Sequence, residues 1–413
     1  MHLKSVKDIK DLAGKRVLLR ADFDVPVRFG RVTDETRIRK VIPTIQYLLK
    51  KQAIVEIVAH RGRLEDKTAS ELTLAPVARC LAKLLKKEVK FLKPRWNEPR
   101  PFATQLKVIG VGAVLVKKSL YSELMKLKGG EVLIFENIRY DRREEKNSEK
   151  LAEQLAAIAD LYVNEAFATA HRAHSSMLAI TKFLPAFAGF NLEMEIKNLS
   201  QLLKKTKRPL VYIVGGIKIS TKLGVIKKFL RAADEVLVGG ALANTVLRAQ
   251  GVAVGKSIIE PEMVETVKKL KLTDTKLHLP LDAVVSTKLE KSAKARTTAI
   301  GKVKAKELIL DIGPDTTDLF LKIISRAKTI VWNGPMGAFE WPKFAKSTKL
   351  LTEAVLNSKA KVFIGGGDTI AAVNKFSKRP VAAYRNVYIS AGGGAMLKFL
   401  EEGSLIALKP LMK

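Results

Sequence analysis

Along the chain, short runs of β-branched and other apolar residues alternate with stretches whose apolar positions recur every three to four residues. This pattern predicts a parallel sheet flanked by amphipathic helices, an α/β architecture. Candidate strands in the first half are Arg16 to Phe23, Ala53 to Ala59, Glu131 to Phe135 and Leu161 to Val163, with Val108 to Val116 as an extra one. In the second half one pattern repeats, an apolar run closed by glycine or a turn. It occurs at Leu210 to Gly216, Glu235 to Gly240, Leu277 to Asp282, Leu308 to Pro314, Thr329 to Gly334, Val362 to Gly367 and Val387 to Gly394. The series implies a second full parallel sheet. A boundary is expected near Leu184 to Gly189, after which Leu192 to Lys204 reads as a helix joining two lobes.

Ligands of open α/β sheets bind beyond the carboxyl ends of the strands, so the residues after each run are where chemistry is expected. In the first half these are polar and mostly basic: Arg20-Ala21-Asp22-Phe23-Asp24, His60-Arg61-Gly62-Arg63, Glu136-Asn137-Ile138-Arg139 and Ala170-His171-Arg172, with Arg37 in the loop after the first. A guanidinium fork matches carboxylate and phosphate geometry, so several of them around one crevice point to a small ligand with more than one negative group. The plainer reading is that each arginine pairs with a nearby acid such as Asp22, Asp24 or Glu136. Recurrence at successive strand ends favours the ligand for the set.

The second half ends its strands in glycine: Gly215-Gly216-Ile217-Lys218, Gly239-Gly240, Asn333-Gly334-Pro335-Met336-Gly337, Gly365-Gly366-Gly367-Asp368-Thr369 and Gly392-Gly393-Gly394. Glycine lets backbone approach a phosphate, and the helix that follows supplies N–H donors and positive dipole. Together with nearby lysines, these ends point to a nucleotide. Gly251-Val252-Ala253-Val254-Gly255-Lys256-Ser257 comes close to a Walker loop, but its first glycine stands one residue too near and a helical stretch precedes it where a strand is required.

Composition narrows the partners. A chain of 413 residues with 47% hydrophobic content accommodates about two domains. Cys80 is the single cysteine, which excludes an internal disulfide and a cysteine-based zinc site. The start of the chain lacks the apolar core of a secretory signal, and no apolar run is long enough to span a bilayer, so a cytoplasmic protein is expected. The 74 Lys and Arg against 41 Asp and Glu give a net charge of +33, compatible with nucleic acid, acidic membranes or a phosphorylated substrate. Much of that lysine lies on solvated helix faces such as Leu81 to Lys87, and an aromatic content of 6% offers few stacking platforms. Neither a nucleic-acid nor a membrane partner is expected.

Taken in order, the motifs Arg20 to Pro26, Asn164 to Phe167, Ala170 to Ser176, Val331 to Glu340 and Gly365 to Thr369 resemble those of phosphoglycerate kinases over nearly the whole chain. The resemblance implies two Rossmann-like lobes joined by an interdomain helix and hinge. One is an acid-substrate lobe over residues 1–187 completed by about 397–413, and the other a nucleotide lobe over 188–396. It implies reversible phosphoryl transfer between 1,3-bisphosphoglycerate and ADP, giving 3-phosphoglycerate and ATP, with Mg2+ carried on the nucleotide; a monomer is expected.

Position by position, it puts Asp22, Phe23 and Asp24 at the glycerate. His60, Arg63, Arg139 and Arg172 would hold its stable phosphate, with Arg61 and Gly62 also at the substrate and Arg37 at the carboxylate that exchanges phosphate. Lys218 and Lys222 fall on the nucleotide phosphates, Asn333 near the triphosphate and Glu340 on the ribose. Asp368 is placed on magnesium, Gly366, Gly367 and Thr369 on phosphate, and Gly392 to Gly394 at the transferring group; Arg37, Lys218, Gly392 and Gly393 form the catalytic set. The chain departs from the family pattern at Asp24, usually asparagine, at Thr221, at Ile309, usually glycine, and at Ala391. Separation of acid and nucleotide implies that the lobes close on their substrates, read as a smaller radius of gyration with both bound.

Overall fold

The computed structural model describes residues 1–413 other than 66, 67, 69, 95–123, 205, 270–274 and 391. The candidate strand at Val108 to Val116, most of the basic stretch Lys93 to Lys128, and Ala391 lie outside the described residues. The chain forms two compact units, Met1–Ser200 with Ser404–Lys413, and Gln201–Gly403.

In the first unit six described strands form one parallel sheet in the order Lys90–Leu92, Val132–Phe135, Ile54–Val58, Arg16–Arg20, Leu161–Asn164, Ala186–Ala188. Ile54 to Val58 are all buried, because a parallel sheet covered by helices hides both faces of its central strands. Helix Thr36–Lys50 turns Ile38, Val41, Ile45 and Leu48 inward at helical spacing against this sheet. The end of the chain returns to this unit: Leu3 bridges Met412, and the Ala407 amide donates to the Ala170 carbonyl.

The units divide at different residues from those the sequence suggested, and the reason is helix packing. Glu165 accepts hydrogen bonds from the Asn191 and Leu192 amides, which ties the start of helix Phe190–Lys204 to the first unit beyond residue 187. Helix Gly393–Glu402 packs on helix Leu223–Ala232, where Glu401 abuts Gly224, so residues 397–403 stay with the second unit.

The second unit has a parallel sheet ordered Leu277–His278, Glu235–Val238, Leu210–Val214, Thr329–Asn333, Lys361–Gly365, Val387–Ile389. Numbered along the chain, this is the doubly wound order 3-2-1-4-5-6, with its topological switch between Leu210–Val214 and Thr329–Asn333. One expectation is corrected here. Leu308–Ile312 does not join the parallel sheet; it pairs antiparallel with Asp282–Ser286, which also pairs with Arg296–Ala299. The run Leu277 to Asp282 likewise splits into an edge strand and the start of this smaller sheet. Arg296–Ala299 is mostly exposed, so the small sheet has one covered face over Ala283, Val285 and Val303, and parallel packing is not required of it.

Candidate active site

The carboxyl ends of the first unit's strands converge as a buried, predominantly cationic cluster. Arg20 is 1% exposed, and its guanidinium donates to Ser176 Oγ at 2.7 Å and to the Ala21 carbonyl at 2.7 Å while lying 3.2 Å from His60 Nδ1. Arginine can only donate, so His60 Nδ1 accepts and its proton resides on Nε2. Burial, then Arg20, Arg139, Arg37 and His174, hold the His60 pKa well below the usual value. His174 is likewise held down to about 3 by burial and by the surrounding arginines. Both imidazoles are therefore neutral at physiological pH, and the positive charge of the cluster resides on the guanidiniums.

A buried acid, Glu144, offsets part of this charge. Glu144 accepts from Ser176 Oγ at 2.6 Å and from the Ser176 amide at 2.9 Å, and it lies 3.9 Å from Arg20. Burial pushes its pKa up against the pull of Arg20. Glu144 sits in the charged run Arg142 to Lys146, which reads as surface, and the sequence reading missed it.

Nearer the rim, Arg37 Nη1 donates to Asp22 Oδ1 at 3.0 Å; Arg37 is one-third exposed and Asp22 buried. Asp22 Oδ2 is buried with no partner among the described residues. Burial raises the Asp22 pKa, Arg37 opposes the rise, and Asp24 adds to it. Asp24 Oδ1 accepts from the Gly62 amide at 2.9 Å, and Arg61 and Arg139 lie within electrostatic reach of its charge. These two guanidiniums offset the charge that Asp24 brings in place of the usual asparagine.

The other first-unit candidates differ in their availability. Arg139 is buried, donates to the Gly62 carbonyl at 2.6 Å and pairs with Glu145 at 3.1 Å. Arg172 is half-buried, with Nε donating to His171 Nε2. Arg63 is exposed and unpaired among the described residues. Arg61 instead directs its guanidinium to the Thr73 and Glu71 carbonyls, bracing its own loop. Phe23 is buried in the core, so only its backbone faces the strand end.

In the second unit the strand ends pack backbone against backbone. A Cβ on Gly334, whose φ is +99°, would stand 2.2 Å from the Gly215 carbonyl oxygen, and one on Gly393 would stand 2.5 Å from Gly366 Cα. Only glycine fits these crossings. Asn333 Nδ2 donates to the Gly365 carbonyl at 2.7 Å, and Thr369 Oγ1 accepts from the Gly334 amide at 2.6 Å. These buried polar groups therefore lock adjacent loops together. Helices Gly367–Phe376 and Gly393–Glu402 both begin here after glycine without a side-chain cap, which leaves first-turn N–H groups to an anion.

Two lysines and one acid attend these helix ends. Lys218 is exposed; Lys222 donates to the Gly215 carbonyl, and burial brings its pKa down to about 8 against the raising influence of Asp368. Asp368 is exposed on the first turn of its helix. No cluster of three or more His, Cys, Asp or Glu able to hold a metal occurs among the described residues. A lone carboxylate suits a cation that arrives already liganded by phosphate oxygens.

Beside the glycine ends lies a pocket of about 450 Å³, lined mainly by apolar groups including Ile309, Ile300, Leu289 and Met336, with Glu340 and Asp368 among its polar residues. Its size and lining suit a nucleoside. The stretch Gly251 to Ser257 takes no part in the glycine ends. Ser257 Oγ accepts from the Ile309 amide at 2.8 Å, the Lys256 amide donates to the Glu307 carbonyl, and no helix starts until Pro261.

Comparison with known proteins agrees with this geometry. The family model described as phosphoglycerate kinase matches residues 6–403. A phosphoglycerate kinase of Pelotomaculum thermopropionicum is 41% identical over 416 residues, covering 100% of each chain. One of a Roseiflexus species is 41% identical, covering 97% of each. Among solved structures, phosphoglycerate kinase from Coxiella burnetii superposes with a TM-score of 0.79 at 36% identity, covering 99% of each chain. That from Pyrococcus horikoshii gives 0.80 at 29% identity, covering 99% of this chain and 98% of its own. Two parallel α/β units, cationic strand ends in one and glycine strand ends in the other, are thus joined by similarity along the full length, and the chain belongs to the phosphoglycerate kinase family.

Proposed function

We propose that the two units divide the substrates of the family's reaction between them. The enzyme is a phosphotransferase that moves a phosphoryl group reversibly between 1,3-bisphosphoglycerate and ADP, giving 3-phosphoglycerate and ATP. On this reading the first unit takes the phosphoglycerate: Arg63, Arg139 and Arg172 with His60 hold its stable phosphate, and Asp22 and Asp24 address its hydroxyl and carboxylate region. The observation that carries the reading is the cationic cluster around His60, in which several guanidiniums share few acids.

Arg37 is the catalytic side chain of this set. Asp22 fixes one of its nitrogens, so the rest of the planar fork is oriented before substrate arrives. Phosphoryl transfer rests on in-line positioning and on neutralising oxygen charge, and an acceptor carboxylate is already ionised at neutral pH. The neutral His60 and His174 need not act as bases. Orientation of the attacking oxygen and shielding of its charge fall to Arg37.

The second unit takes the nucleotide. The apolar pocket receives the base, Glu340 the ribose hydroxyls, and Lys218 and Lys222 the phosphates together with the open helix ends at Gly366 to Thr369 and Gly392 to Gly394. Magnesium, reaching the site on the nucleotide with Asp368 as its protein ligand, would neutralise phosphate-oxygen charge during transfer. We take the enzyme to act as a cytoplasmic monomer on small soluble anions.

The test is a coupled assay of purified protein with 3-phosphoglycerate, magnesium and ATP, beside a Lys218→Ala variant. The expected result is 1,3-bisphosphoglycerate formation by the wild type and a loss of about a hundredfold in the variant, on the scale of removing one preorganised transition-state donor. An active variant would remove Lys218 from the catalytic set.

A further inference from the structure

Val27–Arg28 and Arg31–Val32 form an antiparallel hairpin closed by Phe29 and Gly30. Both turn residues have positive φ, 49° and 69°. Such turns favour Asn-Gly or Asp-Gly, because a bulky side chain is strained at positive φ. Phe29 nevertheless occupies the first position and is fully exposed, at 102%. Its strain is offset by no burial.

The flanks add a second unfavourable choice. Arg28 and Arg31 are register partners across the hairpin and both are exposed, so two like charges face each other directly. Arg79 brings a third guanidinium to the tip, donating to the Gly30 carbonyl at 3.1 Å and bracing the turn. Among the described residues none of the three forms an ion pair. Local strain and unrelieved charge at one exposed point run from an observed outlier to a function outside the folded chain.

We propose that this hairpin is a contact point for an anionic lipid surface, with Phe29 entering the headgroup boundary and Arg28, Arg31 and Arg79 meeting the headgroups. The shape selects the partner. A tip made of one turn offers no groove for a peptide, and a single aromatic provides no run of platforms for successive bases. A deformable sheet of anionic headgroups meets a convex tip, relieves the Arg28–Arg31 repulsion and buries the ring. The +33 charge draws the molecule towards such a surface. One apolar anchor with a few cations makes the contact reversible. This departs from the expectation of no membrane partner, which took the positive charge as solvated helix faces such as Leu81 to Lys87 and did not consider this hairpin.

The experiment is co-sedimentation of the full chain with vesicles of mixed phosphatidylcholine and phosphatidylserine, and with phosphatidylcholine alone, at physiological salt. Phe29→Asn suits the turn better than phenylalanine, so loss of binding cannot be put down to misfolding. Binding to the anionic vesicles only, weakened about tenfold by Phe29→Asn, is expected. Phe29→Trp should retain binding and show a blue-shifted emission on those vesicles. The proposal is overturned if the wild type ignores anionic vesicles, or if Phe29→Asn binds as well as wild type, which would leave net charge alone responsible. It is also overturned if binding sensitive to Phe29 appears on a single-stranded oligonucleotide and not on vesicles.

Discussion

The first unit ends its strands in side-chain cations, while the second ends them in bare backbone. Around His60 the first unit gathers guanidiniums held by buried partners, Arg20 by Ser176 and Arg37 by Asp22. Around Gly366 the second unit depends on main-chain segments lying closer than any Cβ permits. The contrast teaches how each site should fail. Removing a charge should abolish function in the first unit with the fold intact, whereas adding a single methyl should damage function and fold together in the second.

The sharpest test of the first half of that statement is Arg37→Ala. We expect kcat to fall about a hundredfold or more, the scale of one lost preorganised donor at a transition state. The melting temperature should fall only modestly, because Arg37 is one-third exposed and the buried Asp22 it leaves behind, its pKa already pushed up by burial, can take up a proton. A large loss of stability with little loss of kcat would reverse the assignment and make Arg37 a structural partner of Asp22.

The second half is tested by Gly393→Ala. The added Cβ would stand 2.5 Å from Gly366 Cα and 2.6 Å from the Gly366 amide nitrogen, both main-chain atoms that cannot rotate away. Overpacking of this kind costs about 1–3 kcal/mol. Nucleotide affinity should therefore fall roughly tenfold or more, with a lower melting temperature in the same variant. If affinity falls with no change in melting temperature, the close crossing serves the ligand alone and the contrast between units is weaker than stated.

The sequence showed one of these halves more clearly than the other. Unbroken apolar runs ending in glycine are legible because parallel strands hidden on both faces need apolar residues throughout, and close crossings at their ends need glycine. That same rule misassigned Leu308–Ile312, whose apolar run ending in Gly313 belongs to a small antiparallel sheet. The cationic strand ends were legible as a set but not in their individual duties. Arg61 spends its fork on the Thr73 and Glu71 carbonyls, and Glu144, in a run of surface-like charges, is the buried acid beside Arg20. A side chain's partners lie far away along the chain, so no local pattern reveals them.

Lys222 is the exception that joins the two chemistries, a half-buried side-chain cation among glycine loops, and pH reads it directly. Burial lowers its pKa from 10.5 to about 8, with Asp368 opposing. A folded pKa below the unfolded one means that between about pH 8 and pH 10.5 the folded chain binds fewer protons than the unfolded chain. From this group alone, stability rises with pH across that window. Nucleotide binding has the opposite sign, because phosphate requires the charged amine. At about pH 9 roughly one Lys222 in ten keeps its proton, so nucleotide affinity should be about tenfold weaker than at pH 7, and binding should take up a proton. Titration of ADP across this range, with Lys222→Met in parallel, separates the effect from global charge: the variant should bind more weakly at pH 7 and lose most of the slope. Equal slopes in the two proteins would show that Lys222 does not meet the phosphates, and the second unit would then recognise its ligand through backbone and Lys218 alone.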